Sequence, residues 1–260
     1  MPTYRDAAIV LRGYSFGEAD RVVVLLTQDH GKVRAVAKGV RKTTSKFGAR
    51  LEPMSHVEVQ LHRGRELDIV QQVTLVETYR GLRASLESLT DALSMCEAVD
   101  RMCHDREPVQ PVYRALVGAI RTLDRERNEL VLGAFLLRLL ALDGVGPSGD
   151  ECATCGGPLG ERPAGFNVAR GGAECATCHR GMRLSPSAGD LMALVLSGRI
   201  GEALARAAQP TSDASRASRE VTMIARSAAE HHLEKRLRAM SVFEPSHPAD
   251  DRFDRPSADR

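Results

Sequence analysis

Two periodicities divide this chain. Up to about residue 77 the apolar positions cluster in short runs that alternate or are rich in β-branched residues; from about residue 82 they recur every third or fourth residue. AAIVLRGY (7–14) and RVVVLLT (21–27) are β-branched-rich, KVRAVAK (32–38) and HVEVQLH (56–62) alternate polar with apolar, and ELDIVQQVTLVE (66–77) supplies a fifth run. Gly17, Gly31 and Arg63-Gly64-Arg65 mark turns between them. Five short strands in so little chain predict a small barrel; the OB-fold is the commonest five-stranded candidate and an SH3-like barrel its main competitor.

The second half reads as helices. Leu82, Leu86, Leu89, Leu93, Cys96, Val99 and Cys103 form one stripe, and Val112, Leu116, Ile120 and Leu123 a second after Pro111. Residues 129–142 are apolar nearly all round and predict a central helix. A further helix is expected near 187–206, opened by Ser185-Pro186-Ser187, and a last one on Val221, Ile224, Ala228, His231 and Leu237. The Pro- and Asp-rich end, residues 241–260, predicts a disordered tail. The fold class is therefore α+β: a five-stranded barrel over 1–80, then an all-helical domain over 81–240 that carries a cysteine insert at about 150–182.

Composition changes this picture little. At 260 residues, 43% hydrophobic and 27% charged, the chain can bury an ordinary core, built mostly from Leu, Val and Ala because Trp is absent and aromatics are 4%. A net charge of +2 identifies no partner. Asp6 interrupts the opening where a secretory signal would be apolar, and LVLGAFLLRLLAL (130–142) is too short and too interrupted to span a bilayer. A cytoplasmic protein is expected, and in a reducing compartment paired cysteines are metal ligands or redox groups more often than disulfides.

Four of the six cysteines stand as two CxxC pairs, Cys152/Cys155 and Cys175/Cys178, with nineteen residues between Cys155 and Cys175. That spacing is a zinc pattern. Each CxxC turn aims two sulfurs at one point, four thiolates complete a tetrahedron, and the glycines after each pair suit tight knuckles. Four protein ligands leave no position for substrate or activated water, so one structural Zn²⁺ is expected. The alternative, a thioredoxin-like redox pair, needs a CxxC opening a helix after a strand, whereas these pairs sit among Gly and Pro. His179 in place of one sulfur is a further alternative. Cys96 and Cys103 read as core residues, and adjacent His231 and His232 point to different sides of a helix.

GKVRAVAKGVRKTTSKFGAR (31–50) carries seven cations, Lys32, Arg34, Lys38, Arg41, Lys42, Lys46 and Arg50, and no acidic residue. On a strand Lys32, Arg34 and Lys38 share one face, with Val33, Ala35 and Ala37 on the other, facing the barrel interior. A basic face running into a basic loop is an electrostatic footprint for a polyanion, against the plainer reading of a solvated face. Phe47 alone in this stretch offers a ring for base stacking, so contacts to phosphate are expected to lead. With all seven cations on single-strand phosphates, log affinity would fall against log salt with a slope of about −5.

The opening AAIVLRGYSFGEADRVVVLLTQDHGKVRAVAKGVRK, the following SKFGARLEPMSHVEV and the CxxC…CxxC insert in a helical half resemble the RecO family of bacterial recombination mediators, over about residues 4–242. The resemblance implies an N-terminal OB-fold, a helical domain with a zinc-finger insert, binding to single- and double-stranded DNA, annealing of complementary strands, and a partnership with RecR that helps RecA displace single-strand-binding protein. It places the DNA-binding role on the seven cations of 31–50 and a nucleoid-associated protein in the cytoplasm. It also implies docking of the acidic, apolar tail of single-strand-binding protein on the helical domain, for which Arg114, Arg121 and Arg138 are rim candidates.

None of these roles calls for a nucleophile or a general base. GxxxxGK[ST], GxSxG and HExxH are absent, and the carboxylates of DRERNE (124–129) read as an ion-paired helix face. Two rival readings are an enzyme with the clip as a structural lid, and a zinc-ribbon adaptor or transcription-associated protein without annealing activity.

Overall fold

The computed structural model describes residues 2–40, 45, 47–234, 236 and 237. Strands β1 (Thr3–Phe16), β2 (Asp20–Thr27), β3 (Gly31–Ala37), β4 (His56–His62) and β5 (Asp68–Glu77) close into a barrel in the order β1-β2-β3-β5-β4. β3 and β5 pair in parallel, and the other four pairings are antiparallel, β4 closing on β1. A closed five-stranded barrel of this kind is an OB-fold. Its interior holds Ala8, Val10, Val23, Leu25, Val33, Ala35, Ala37, Val57, Val59 and Leu61, the alternate positions that the strand period selects. The expected inward set of β3 is thus the observed one.

The helices are α1 (Leu86–Met102), α2 (Gln110–Arg125), α3 (Val131–Leu142), α4 (Pro186–Leu196), α5 (Ile200–Ala207) and α6 (Ser212–His232). The Ser85, Ser185 and Thr211 hydroxyls cap α1, α4 and α6 by accepting a backbone N–H three residues on. α3 is the central helix, packed on α1, α2, α4 and α6. The single helix expected over 187–206 is two, because Gly198 takes a left-handed φ of +78° and ends α4. In α1 the buried face is Ala92, Met95, Cys96 and Val99, while Leu86 is 57% exposed. The helix is rotated from the Leu stripe because Thr90 and Ser94 satisfy their hydroxyls internally, on the carbonyls of Leu86 (2.7 Å) and Thr90 (2.8 Å), and so can be buried. Within the cysteine insert, β6 (Gly165–Asn167), β7 (Gly172–Glu174) and β8 (Met182–Arg183) form a three-stranded sheet in the order β7-β6-β8. The tail, 241–260, lies outside the described residues.

Barrel and helices share one core, since Ile9, Leu11, Val24 and Leu26 on the outer barrel face pack with Met95, Val99 and Met102 of α1 in one cluster. The connection after α1 seals the joint. Asp105 bridges Lys32 in parallel, and the Arg106 N–H donates to the Lys32 carbonyl at 2.8 Å. Gly31, at φ +70°, lies so near the Glu107 backbone that a Cβ there would stand 1.9 Å from its carbonyl oxygen. Arg106 itself holds a left-handed φ of +62°, and its guanidinium donates at 2.7 Å to fully buried Asp68, which also accepts from the Tyr4 hydroxyl at 2.5 Å.

Candidate nucleic-acid interface and metal centre

The cysteine clip forms from two loops, one ahead of β6 and one between β7 and β8. The Sγ atoms of Cys152, Cys155, Cys175 and Cys178 all lie within 4.8 Å of one another, and all four are free thiols. Tetrahedral zinc with bonds of ~2.3 Å places sulfurs roughly 3.8 Å apart, so the donor set fits such an ion. The knuckles are held by the backbone. Cys152 N–H donates to Gly157 and Gly156 N–H to Cys152, while Cys178 and His179 N–H groups both donate to the Cys175 carbonyl. The Cys175 N–H donates to Cys152 Sγ at 3.4 Å and holds that thiol below its usual range; close contact with Cys155 and Cys175 pushes the Cys178 thiol up. A divalent cation resolves that opposition by stabilising all four thiolates. His179 is not in the cluster; its Nδ1 pairs with the Ala176 carbonyl at 2.9 Å.

A carboxylate invisible to the spacing rule ties the two knuckles together. Glu174, 1% exposed, accepts from the Thr154 hydroxyl (2.6 Å) in the first knuckle, from Asn167 Nδ2 (3.0 Å), and from the Arg180 and Gly181 N–H groups (3.0 and 3.1 Å) beyond the second. Burial alone would raise its pKa, but these four donors outweigh it and bring the group down to about 2. Its only sequence signal is an acidic residue directly before a CxxC. Cys152, Phe166 and Leu184 join the helical core, which anchors the clip to the domain. Cys96 and Cys103 are buried, as expected.

The basic stretch divides. Lys32 and Arg34 do share an outward face, but it meets the helical domain. Lys32 Nζ is 2.5 Å from the Asp100 carbonyl and 3.6 Å from the carboxylates of Asp100 and Asp105, and Arg34 Nε is 2.9 Å from Asp105. The Lys32 side chain is only 13% exposed. α1 and the loop after it thus supply Lys32 and Arg34 with counter-charges that a local window around 31–50 lacks, although the Arg34 side chain stays 46% exposed. Lys38 is exposed and makes no ion pair among the described residues. Arg41, Lys42 and Lys46 lie outside the described residues. Arg50 is exposed, on the single-turn 3-10 helix Gly48–Leu51. Phe47 cannot stack on a base, since it is 2% exposed inside the barrel core.

Beside this loop a cleft of about 460 Å³ is lined by Arg50 from one side and Arg80 and Arg83 from the other. Arg80 and Arg83 are exposed and have no acidic partner among the described residues. The run YRGLR (79–83) carried that signal, but it falls between the strand and helix patterns. On the helical domain, an apolar groove of about 280 Å³ runs between α2, α3 and α5, floored by Ala119, Val131, Ala134, Phe135, Ile200 and Leu204. Arg114 and Arg138 stand at it, exposed and without acidic partners among the described residues. Arg121 does not belong to that rim; its Nε donates to Glu77 at 2.7 Å.

An OB barrel fused to a helical body, with exposed cations and four clustered cysteines, has the features of a nucleic-acid-binding protein with a metal site. Comparison with protein families agrees in detail. The model for the N-terminal domain of recombination protein O matches residues 1–79, and the model for its C-terminal domain matches residues 83–240. The chain belongs to the recombination protein O (RecO) family, and its role lies in DNA recombination and repair. Among the described residues no helix is long and apolar enough to cross a membrane.

Proposed function

We propose that this protein is a non-enzymatic recombination mediator of the cytoplasm and nucleoid. It binds single- and double-stranded DNA, anneals complementary strands and, with RecR, helps load RecA onto DNA coated by single-strand-binding protein. The observation that carries the reading is that exposed Lys38 and Arg50 bracket the basic segment and that Arg50 lines an open cleft together with Arg80 and Arg83. Two strands repel through their phosphates. Cations on this surface lower that repulsion, counterion release offsets the ordering cost, and base pairing completes the product. Lys38, Arg41, Lys42, Lys46 and Arg50 supply the phosphate contacts, while Lys32 and Arg34 chiefly hold the barrel to the helical domain.

The groove on α2, α3 and α5 suits an acidic, apolar peptide: its floor is apolar and Arg114 and Arg138 flank it. It is the docking site in this account for the tail of single-strand-binding protein. The metal is one Zn²⁺ per chain on Cys152, Cys155, Cys175 and Cys178. When bound it closes the loop between the cysteine pairs, and four sulfur ligands leave no coordination position for a substrate.

The test is annealing of complementary oligonucleotides precoated with single-strand-binding protein, with metal content measured on the same sample. Annealing is expected without ATP, and Arg114→Glu/Arg138→Glu should slow it on coated but not on bare strands. A protein that binds no oligonucleotide at low salt would instead be an adaptor.

A further inference from the structure

Among the described residues two aromatic side chains are exposed, and they are neighbours: Tyr14 at 40% and Phe16 at 47%. Both stand at the C-terminal end of β1, where residues 12–16 are all exposed. The register places them precisely enough to read a surface. Arg12 faces Val24, which faces Arg34; Tyr14 faces Val22, which faces Val36; Phe16 faces Asp20. Lys38 follows two positions beyond Val36, on the same parity. Gly13, Val23 and Ala35 occupy the alternate row, and Val23 and Ala35 point into the barrel. One outer face therefore carries Tyr14 and Phe16 beside Arg12, Arg34 and Lys38.

The rings are prepared for a planar ligand. Arg12 lies over the Tyr14 ring at 5.3 Å from its centroid and is itself held by Asp100 at 2.5 Å, while the Tyr14 side chain stays partly exposed. The one carboxylate in the row, Asp20, is turned to the Gly39 N–H at 2.7 Å and so anchors the start of the basic loop next to Phe16. Residues two apart on a strand are separated by roughly 7 Å, about twice the 3.4 Å rise of a strand within a duplex. A stretched, unstacked strand matches that interval. Duplex bases do not, since their faces are covered by their neighbours.

We propose that Tyr14 and Phe16 form a base-stacking step for single-stranded nucleic acid, on the same outer face as Lys38, where the basic segment begins. This deepens the proposed function and rests on it: the cations hold either form of DNA, and the two rings select the unpaired one. Stacking is sequence-tolerant because every base has a π-face.

The chain contains no tryptophan, so Phe16→Trp installs a single emitter at the site. Its fluorescence should be quenched when labelled oligothymidylate is added and unchanged with a blunt duplex. Tyr14→Ala/Phe16→Ala should weaken single-strand binding by at least about fivefold, leave duplex binding within twofold, and keep the salt slope of the parent, because no cation is removed. Tyr14→Phe/Phe16→Tyr, which keeps both rings, should restore single-strand affinity and controls for folding. Equal single-strand affinity in the Ala variant with an unquenched Trp overturns the proposal while salt-sensitive DNA binding stands. A Trp signal that responds to RecR but not to oligothymidylate overturns it in favour of a protein-docking face. Loss of salt-sensitive binding in the parent protein itself removes the proposed function and this inference together.

Discussion

Lys32 and Lys38 lie on one basic segment, yet Lys32 is ion-paired to the helical domain and Lys38 is exposed, so the proposed function gives them different roles, and substituting each separately tests this. In Lys32→Ala the ammonium that sits 2.5 Å from the Asp100 carbonyl and 3.6 Å from two carboxylates is removed. Lys32 and Asp100 are each 13% exposed. Breaking a fully buried pair costs about 3–5 kcal/mol. Here some solvent remains and Asp100 keeps Arg12, so about 2 kcal/mol is expected. In a chain of this size that lowers the thermal midpoint by roughly 4–8 °C. Lys38 has no such partner, so Lys38→Ala should change stability by less than about 0.5 kcal/mol. Its effect belongs in the salt dependence of single-strand binding, where one lost phosphate contact flattens the log–log slope by about 0.7. Differential scanning fluorimetry and anisotropy titrations at several salt concentrations read both quantities. A Lys32→Ala protein of unchanged midpoint and flattened slope would refute the division of roles.

Three other outcomes follow from the packing. Cys152→Ser/Cys155→Ser should release the metal, counted by atomic emission, and raise hydrogen exchange over 150–185 while the barrel amides keep their protection. Gly31→Ala should detach the 103–107 connection, since its Cβ meets the Glu107 carbonyl and its φ is left-handed; increased exchange at 103–107 with an intact barrel is the expected readout. Asp68 is buried, which would raise its pKa, but Arg106, Tyr4 and the Gly64 N–H hold it below its ordinary 3.8. Its contribution is therefore complete above about pH 4 and is lost as pH falls through the lower folded value, a loss that Asp68→Asn should abolish in acid titrations of stability.

Local patterns in this sequence report what local physics decides. Alternation placed Val33, Ala35 and Ala37 inside the barrel, and the CxxC spacing brought four sulfurs together, because both depend on backbone geometry over a few residues. Counter-charges come from afar. Asp100 and Asp105 reach Lys32 and Arg34 across roughly seventy positions, so no window around 31–50 shows them. Glu174 is illegible for the same reason: its donors lie at Thr154, Asn167, Arg180 and Gly181, set by the fold of the knuckles. Phe47 looked like a stacking ring because composition does not say which way a loop residue points. The exposure of Tyr14 and Phe16 had no signal in the sequence, because a β-rich run does not say where a strand leaves its packing partners. The Leu stripe of α1 misled because two hydroxyls that bond their own helix can be buried where leucines were expected.

The central claim is that cations of the basic segment neutralise DNA backbones while the metal clip only shapes the scaffold. The most direct measurement is the salt dependence of single-strand affinity, with bound metal counted in the same samples. Five phosphate contacts, from Lys38, Arg41, Lys42, Lys46 and Arg50, give a slope of about −3.5, or a loss of roughly a hundredfold between 50 and 200 mM salt, unchanged in Cys152→Ser/Cys155→Ser. A slope near zero, or one that disappears with the metal, would contradict it.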